Sequence, residues 1–324
     1  MEINVLYSTD ANYAKVMGVS IISLLENNKN NHINFFIIDD GICNRNVFLD
    51  LENIYGCKFN FIDFSEYKRK LNLNQLYWHI SESAYARLLL NSMLPNSINK
   101  ILYLDCDTII CKDLQNFFEM DLADYFVAGV LDFASHETKE MIGLNESDHY
   151  INSGVLLINV RQWRDENVEE KFIDYIKECD GNVWHHDQGV LNHVLKNNIM
   201  IINPKYNMMT PNYMLKFEDI CDFYDITTKN YYTKSDFDLA MVDFVILHFT
   251  GFFVTRPWEK KCRHPKVGIY ESYKSISPWK DEDLFEVKAV PLKQRIVSFF
   301  YVRLPYKIAR KIMQTYYLIM KKNK

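Results

Sequence analysis

Apolar residues in the first two thirds of the chain fall into short dense runs, separated by stretches where they recur at helical spacing. Ile3–Thr9 (INVLYST), 33–40 (INFFIIDD) and 57–64 (CKFNFIDF) are runs rich in strand formers. Between them, Ala14–Leu25 and the stretch around Val47–Tyr55 place apolar residues every three or four positions, the stripe of a helix packed on a core. Ser83–Leu94 reads as a further helix, ended by Pro95, because the residue before a proline disfavours helical backbone. KILYLDCDTII (100–110), VAGVLD (127–132) and YINSGVLLINV (150–160) are three more strand candidates. Strands alternating with helices predict an α/β fold whose sheet is parallel in at least its first part. Ligands in such sheets bind beyond the carboxyl ends of the strands, where Asp10, Asp105 and Asp132 fall. After about Asn203 the pattern weakens into aromatic and polar stretches without an assignable order.

Composition narrows the class. A chain of 324 residues, 48% hydrophobic, can bury a full-sized core, and its 10 Gly and 8 Pro argue against a fibrous or disordered chain. The opening MEINVLYSTD lacks a basic leader, and no apolar run approaches the ~18 residues of a membrane span. Seven scattered cysteines without paired spacing read as reduced thiols, so the expected location is cytoplasmic. Charge is uneven: residues 288–324 hold ten Lys/Arg and no acid, leaving the rest with 27 basic against 42 acidic residues. An acidic body with a basic tail is not the footprint of a nucleic-acid binder. The expected organisation is a catalytic domain over 1–285 and a basic amphipathic tail over 286–324. On a helix, Arg303, Lys307, Arg310, Lys311 and Gln314 share one face, while Leu304, Ile308, Ile312, Tyr316 and Ile319 share the other. Such a tail suits attachment to an anionic membrane surface, placing the protein peripherally on its cytosolic side. Its plain alternative is a helix docked on the body.

Candidate chemistry starts at Asp105-Cys106-Asp107, which ends an apolar run. On extended backbone, residues two apart project to one face, so both carboxylates can meet one cation. Carboxylates suit Mg²⁺ or Mn²⁺, and such a cation neutralises a departing diphosphate without a proton donor. The plain alternative is a polar strand end. His248 in VILHFTG offers an imidazole that favours Mn²⁺ over Mg²⁺, or else is an ordinary core histidine. Near it, Gly251 permits close approach to an anion and Arg256 can pair with phosphate. Asp187 in HHDQGVLN could simply cap a helix, Asn152-Ser153-Gly154 could be a turn, and Arg87 a surface ion-pair partner.

The ordered set resembles glycosyltransferase family 8, in particular its bacterial lipooligosaccharide α-1,4-galactosyltransferases. It comprises TDANYA (9–14), HIS with YARLLL (79–90), YLDCDTII (103–110), YINSGVLLIN (150–159), HHDQGVLN (185–192), NY (212–213) and HFTG…RPW (248–258). The resemblance spans about residues 1–285. It implies a GT-A fold, a nucleotide-binding α/β sandwich with a mixed, mainly parallel sheet and a small C-terminal helical appendage. It further implies a retaining hexosyltransferase that moves glucose or galactose from a UDP-sugar to a saccharide or glycolipid hydroxyl in cell-surface glycan synthesis. Asp105, Asp107 and His248 correspond to the metal ligands. Asp10 and Asn12 correspond to uridine contacts, and Asp132, Asn152, Ser153, Gly251 and Arg256 to the rest of the donor site. Gln188 corresponds to the residue facing the anomeric carbon, with Asp187 on the donor sugar and Arg87 as a cation on the diphosphate or sugar side. Tyr13, His79 and Tyr213 fall where acceptor contacts are expected.

Two departures from the family pattern stand out: Gly189 stands at the second acid of the usual D-Q-D, and Arg256 at the lysine of K-P-W, in a loop lengthened to FFVT before it. No residue is an obvious general base and Gln188 is a weak nucleophile, which favours same-face attack over double displacement. Rival readings are a self-glucosylating primer protein, a sugar-nucleotide pyrophosphorylase, whose Gly-rich first loop is missing from TDANYA, and a non-catalytic nucleotide-sugar-binding module.

Overall fold

The computed structural model describes residues 1–67, 82–227, 229–287 and 292–312. Ten strands appear among them: β1 (Glu2–Asp10), β2 (His32–Asp40), β3 (Lys58–Asp63), β4 (Ile101–Leu104), β5 (Thr108–Ile110), β6 (Val127–Leu131), β7 (Ile151–Ile158), β8 (Ile199–Ile201), β9 (Met208–Met209) and β10 (Ile246–His248). Seven form a central sheet in the order β3-β2-β1-β4-β7-β6-β8. The pairs β1–β2, β2–β3, β1–β4 and β6–β8 are parallel, and only β7 runs against its neighbours. This is the mixed, mainly parallel α/β arrangement of the GT-A fold.

Each central strand serves two cores. Ile101 and Tyr103 of β4 pack on one face of the sheet, and Leu102 and Leu104 pack on the other. β7 does the same with Leu156 and Ile158 against Val155 and Leu157. This is why these runs read as continuously apolar rather than alternating. Helices Ala14–Asn27 and Asn46–Tyr55 connect the parallel strands β1, β2 and β3.

Three sequence expectations are corrected. The run 100–110 is not one strand: β4 stops at Leu104, Asp-Cys-Asp turns, and β5 joins a second, three-stranded sheet of order β5-β10-β9. The span 83–94 is a 3₁₀ helix (Glu82–Leu88) followed by one short α turn (Leu90–Met93), with Leu94 extended ahead of Pro95. The tail is not one continuous helix from Arg303. Helix Leu292–Arg303 ends there, Leu304–Pro305 break the backbone pattern, and a second helix begins at 306. That second helix docks on the body: Tyr306 and Ala309 are buried, the Tyr306 hydroxyl donates to Asp222 (2.9 Å), and Arg310 pairs with Asp222. Gln314, Tyr316 and Ile319 lie outside the described residues. No helix among the described residues is long and apolar enough to cross a membrane.

Candidate active site

The carboxyl ends of β1, β4 and β6 and the amino end of β7 share one edge of the central sheet, and the site is built there. The turn after β4 is closed by the Asp105 carbonyl, which accepts from the Thr108 N–H (3.2 Å) and hydroxyl (2.8 Å). Asp105 N–H donates to the Gly154 carbonyl of β7 (2.7 Å), and Phe249 N–H donates to the Asp107 carbonyl (2.9 Å). Both sheets thus hold the turn. His248, last residue of β10, brings Nε2 to 3.0 Å from Asp107 Oδ1 and 3.7 Å from Asp105 Oδ2. One ligand atom from each of Asp105, Asp107 and His248 lies within 4.8 Å of the others. Gly154 leaves the room: a Cβ there would lie 2.3 Å from His248 Cε1 and 2.5 Å from Asp105 Oδ2.

The hydrogen bonds fix which ring nitrogen faces the carboxylates. Asn207 Nδ2 donates to Asn152 Oδ1 (2.9 Å), so Asn207 Oδ1 faces His248 Nδ1 (2.9 Å), which must carry the proton. Nε2 therefore points its lone pair at two carboxylates unless a positive charge lies between them. Burial opposes protonation of His248, but Asp107 and Asp105 outweigh it and raise its pKa. Burial likewise opposes ionisation of Asp107, yet His248 and Arg256 hold its carboxyl below the ordinary value. Two oxygens and one imidazole nitrogen around a shared point fit a divalent cation such as Mn²⁺ or Mg²⁺.

A second network lies against the first. Relative to the pairing of Gly129 with Leu156, β7 slips by three residues before Ile151 meets Leu131, and this irregularity re-aims Asn152, Ser153 and Gly154. Asn152 Nδ2 donates to Asp132 Oδ2 (3.0 Å) and Gln188 Oε1 (3.2 Å). Gln188 Oε1 also accepts from Ser153 N–H (3.1 Å), while Gln188 Nε2 donates to Asp132 Oδ2 (2.8 Å) and the Tyr150 hydroxyl (3.0 Å). All four hydrogen-bonding positions of the Gln188 amide are filled. Ser153 Oγ donates to Asp187 Oδ2 (3.1 Å).

Arg87 lies inside the site rather than on the surface. It is 5% exposed, with Nη2 3.0 Å from Asp105 Oδ1, Nε 3.1 Å from Asp187 Oδ2, and Nη1 donating to the Ser153 carbonyl (2.6 Å). Its guanidinium also lies over the Tyr103 ring, 4.2 Å from the centroid. It therefore braces two site carboxylates, and the surface ion-pair alternative is excluded. Burial opposes the Arg87 charge, but Asp105 and Asp187 outweigh it and raise the pKa. Burial moves Asp187 upward against the pull of Arg87. A guanidinium shared between two carboxylates ties the three groups together, because removing any one of them strands a buried charge.

On the opposite flank, Asp10 Oδ1 accepts from the N–H groups of Asn12 and Tyr13 (both 2.9 Å), turning β1 into the first helix. Asn12 is exposed beside it. Arg256 Nη1 reaches the Tyr13 hydroxyl (3.2 Å) and Asp107 Oδ2 (3.5 Å), so Tyr13 and Arg256 adjoin the carboxylate cluster. A Cβ on exposed Gly251 would lie 3.3 Å from Arg256 Nη2. Tyr213 is not brought into this group: its hydroxyl is buried without a hydrogen-bond partner, and its ring packs on Phe244 and His264 under Lys266. His79 lies outside the described residues.

Several contributors carry no sequence signal. Asn207 fixes the His248 tautomer, and Tyr150 links Gln188 to His185, whose Nδ1 lies 2.5 Å from the Tyr150 hydroxyl. Gly189 has a packing reason. His185 and His186 both adopt left-handed backbone (φ 58° and 53°), and this turn drives the Trp184 carbonyl to 1.9 Å from where a Cβ of residue 189 would be. A second acid cannot stand there with this turn.

Comparison with known proteins agrees with this architecture. The sequence profile of glycosyl transferase family 8 matches residues 4–262. A Haemophilus influenzae protein assigned to the glycosyltransferases is 30% identical over 272 residues, 81% of this chain and 74% of that one. The lipopolysaccharide 1,2-glucosyltransferase of Escherichia coli K12 is 28% identical, covering 89% of this chain and 82% of its own. The crystal structure of the galactosyltransferase LgtC with donor and acceptor sugar analogues superposes with a TM-score of 0.68 at 24% identity, covering 90% of this chain and 99% of that one.

Proposed function

The chain belongs to glycosyl transferase family 8 and is a glycosyltransferase acting on UDP-sugars, and from that premise we propose a retaining, metal-dependent hexosyltransferase of cell-surface glycan synthesis. Its donor is UDP-glucose or UDP-galactose and its acceptor a hydroxyl of a saccharide or glycolipid. The observation that carries this reading is the junction of the Asp105–Asp107–His248 cluster with the Arg87–Asp187–Gln188 network at one sheet edge.

Asp105, Asp107 and His248 would hold the cation, with Mn²⁺ favoured over Mg²⁺ by the imidazole. A cation bound there supplies positive charge to the leaving diphosphate. Arg256 adds a second charge from the Tyr13 side, and Gly251 lets backbone approach the phosphates. Asp10 and Asn12 serve the uridine end. Asp187, Asn152, Ser153 and Asp132 serve the donor sugar. Arg87 acts as a positioning residue that pairs with Asp105 and Asp187 and holds both carboxylates in place. Tyr13, and on family grounds His79, are assigned to the acceptor side; Tyr213, packed away from the cluster, is not.

The Gln188 amide supports same-face attack. Both lone pairs of its oxygen already accept hydrogen bonds, which leaves none directed at an anomeric carbon. The bond from the anomeric carbon to UDP breaks, a bond to the acceptor oxygen forms on the same face, and the acceptor proton passes to the departing phosphate. Single-turnover mass spectrometry should show no covalent glycosyl adduct on the protein; an adduct on Gln188 or Asp187 would sink the same-face route.

The direct test is UDP release from each donor with Mn²⁺, with EDTA, and for Asp105→Ala. Release from one donor that falls by about 10²-fold or more in EDTA and in the variant is expected, on the scale of a lost transition-state charge contact. No UDP binding at all would overturn the assignment. The basic tail is assigned to an anionic membrane surface, supported by Ile308, which stays 51% exposed while Tyr306 and Ala309 face the body.

A further inference from the structure

Beyond the sugar site, a wide groove of about 910 Å³ runs between the loop 252–255 and helix Leu292–Arg303. That volume lies at the upper end of what small-molecule pockets offer. The loop is the stretch Phe252-Phe253-Val254-Thr255, and it joins Gly251 directly to Arg256. The groove therefore opens one loop away from Asp107, which Arg256 contacts at 3.5 Å.

Its walls are apolar and held in place. Phe252 and Phe253 come from the loop, Phe299 and Phe300 from the helix, and Phe299 is 51% exposed. Phe253 stacks on Tyr301 (centroids 4.6 Å, 11°), and Phe223 meets Phe252, Phe253, Tyr301 and Tyr306 edge-on. This aromatic cluster fastens the C-terminal helices to the body, so the groove is a feature of the fold and not a gap beside a loose tail. The rim is cationic: Lys261, Arg263, Arg295 and Arg303 line it, against the single acid Glu259, which already accepts from Arg256 N–H (2.8 Å). An apolar trough ringed by arginines complements a ligand with a hydrocarbon chain and an anionic phosphate.

We propose that this groove binds the anchor of a lipid-linked acceptor, an apolar chain against the phenylalanines and its phosphate against the rim arginines, so that the acceptor sugar is delivered over Arg256 into the site. This rests on the transferase reading and specifies its acceptor class. An uncharged saccharide would leave the trough empty, and a flat membrane surface would not need a concave one.

Calorimetric titration of the full chain with monomeric decyl phosphate tests it, with decanol, inorganic phosphate and phosphatidylglycerol vesicles as the other arms. Saturable one-to-one binding of decyl phosphate is expected, at least tenfold tighter than either decanol or inorganic phosphate. Arg263→Glu with Arg295→Glu, both exposed positions, should weaken it tenfold or more, and Phe299→Ser should do likewise. UDP release from the donor should stay unchanged in all three changes, which shows that the fold and sugar site are intact. Absence of saturable binding, equal binding by the charge-reversed protein, or binding to vesicles alone would overturn the proposal. Loss of UDP release in the unmodified chain would instead strike the transferase reading.

Discussion

At the residue scale the site depends on small groups as much as on charged ones. Gly154 is the clearest case, since any side chain there must displace His248 or Asp105 by more than a van der Waals contact allows. Gly154→Ala should weaken Mn²⁺ binding by at least tenfold, read by calorimetry or by the loss of free-ion paramagnetic resonance signal on titration. Unchanged affinity would mean that these three residues do not form the metal centre. The types of the site residues were legible in the sequence: the two acids of D-C-D, the histidine of HFTG, the amide of HDQG. Their partners were not. Nothing in the chain around Asn207 announces that it orients His248, because the bond joins residues 41 positions apart. Arg87 reads as an ordinary surface cation in YARLLL, and only its burial between Asp105 and Asp187 reveals a brace.

At the element scale, apolar periodicity found the strands but missed a change of sheet. β4 and β5 are both apolar, so the run looks continuous although the Asp-Cys-Asp turn divides it between two sheets. The carboxylates converge because that turn is pinned by Gly154, Thr108 and Phe249, not because extended residues alternate. Helix His186–Leu195 carries a similar lesson at its first turn. The left-handed pair His185–His186 sets the Trp184 carbonyl against Gly189, so restoring the family's acid there conflicts with backbone rather than with a flexible side chain. Gly189→Asp should cost ~1–3 kcal/mol in urea denaturation, the scale of overpacking. It should also depress UDP release by displacing Gln188 and Asp187 on the same turn. A variant of full stability and activity would show that the turn relaxes freely.

At the scale of the whole molecule, the acidic body and the basic tail are in contact. Arg310 of the tail pairs with Asp222, and Tyr306 donates to the same carboxylate, so part of the basic face is already committed. On the proposed membrane reading, attachment would then fall to Ile308 and to the exposed basic residues that flank the groove. The full chain should co-sediment with vesicles containing phosphatidylglycerol and lose that binding as salt is raised, because the Debye length contracts to about 3 Å at 1 M. Residues 1–285 alone should stay in the supernatant; equal sedimentation of both would assign the membrane contact to the body. The sequence by itself determined the α/β class, the alternation of the first strands with helices and the chemical types at the candidate site, since these follow from local periodicity and short motifs. Tertiary structure alone decided the split into two sheets, the tautomer of His248, the burial of Arg87 and the groove beside the loop 252–255. Each of those depends on groups far apart in the chain meeting at close range, and no local pattern encodes that distance.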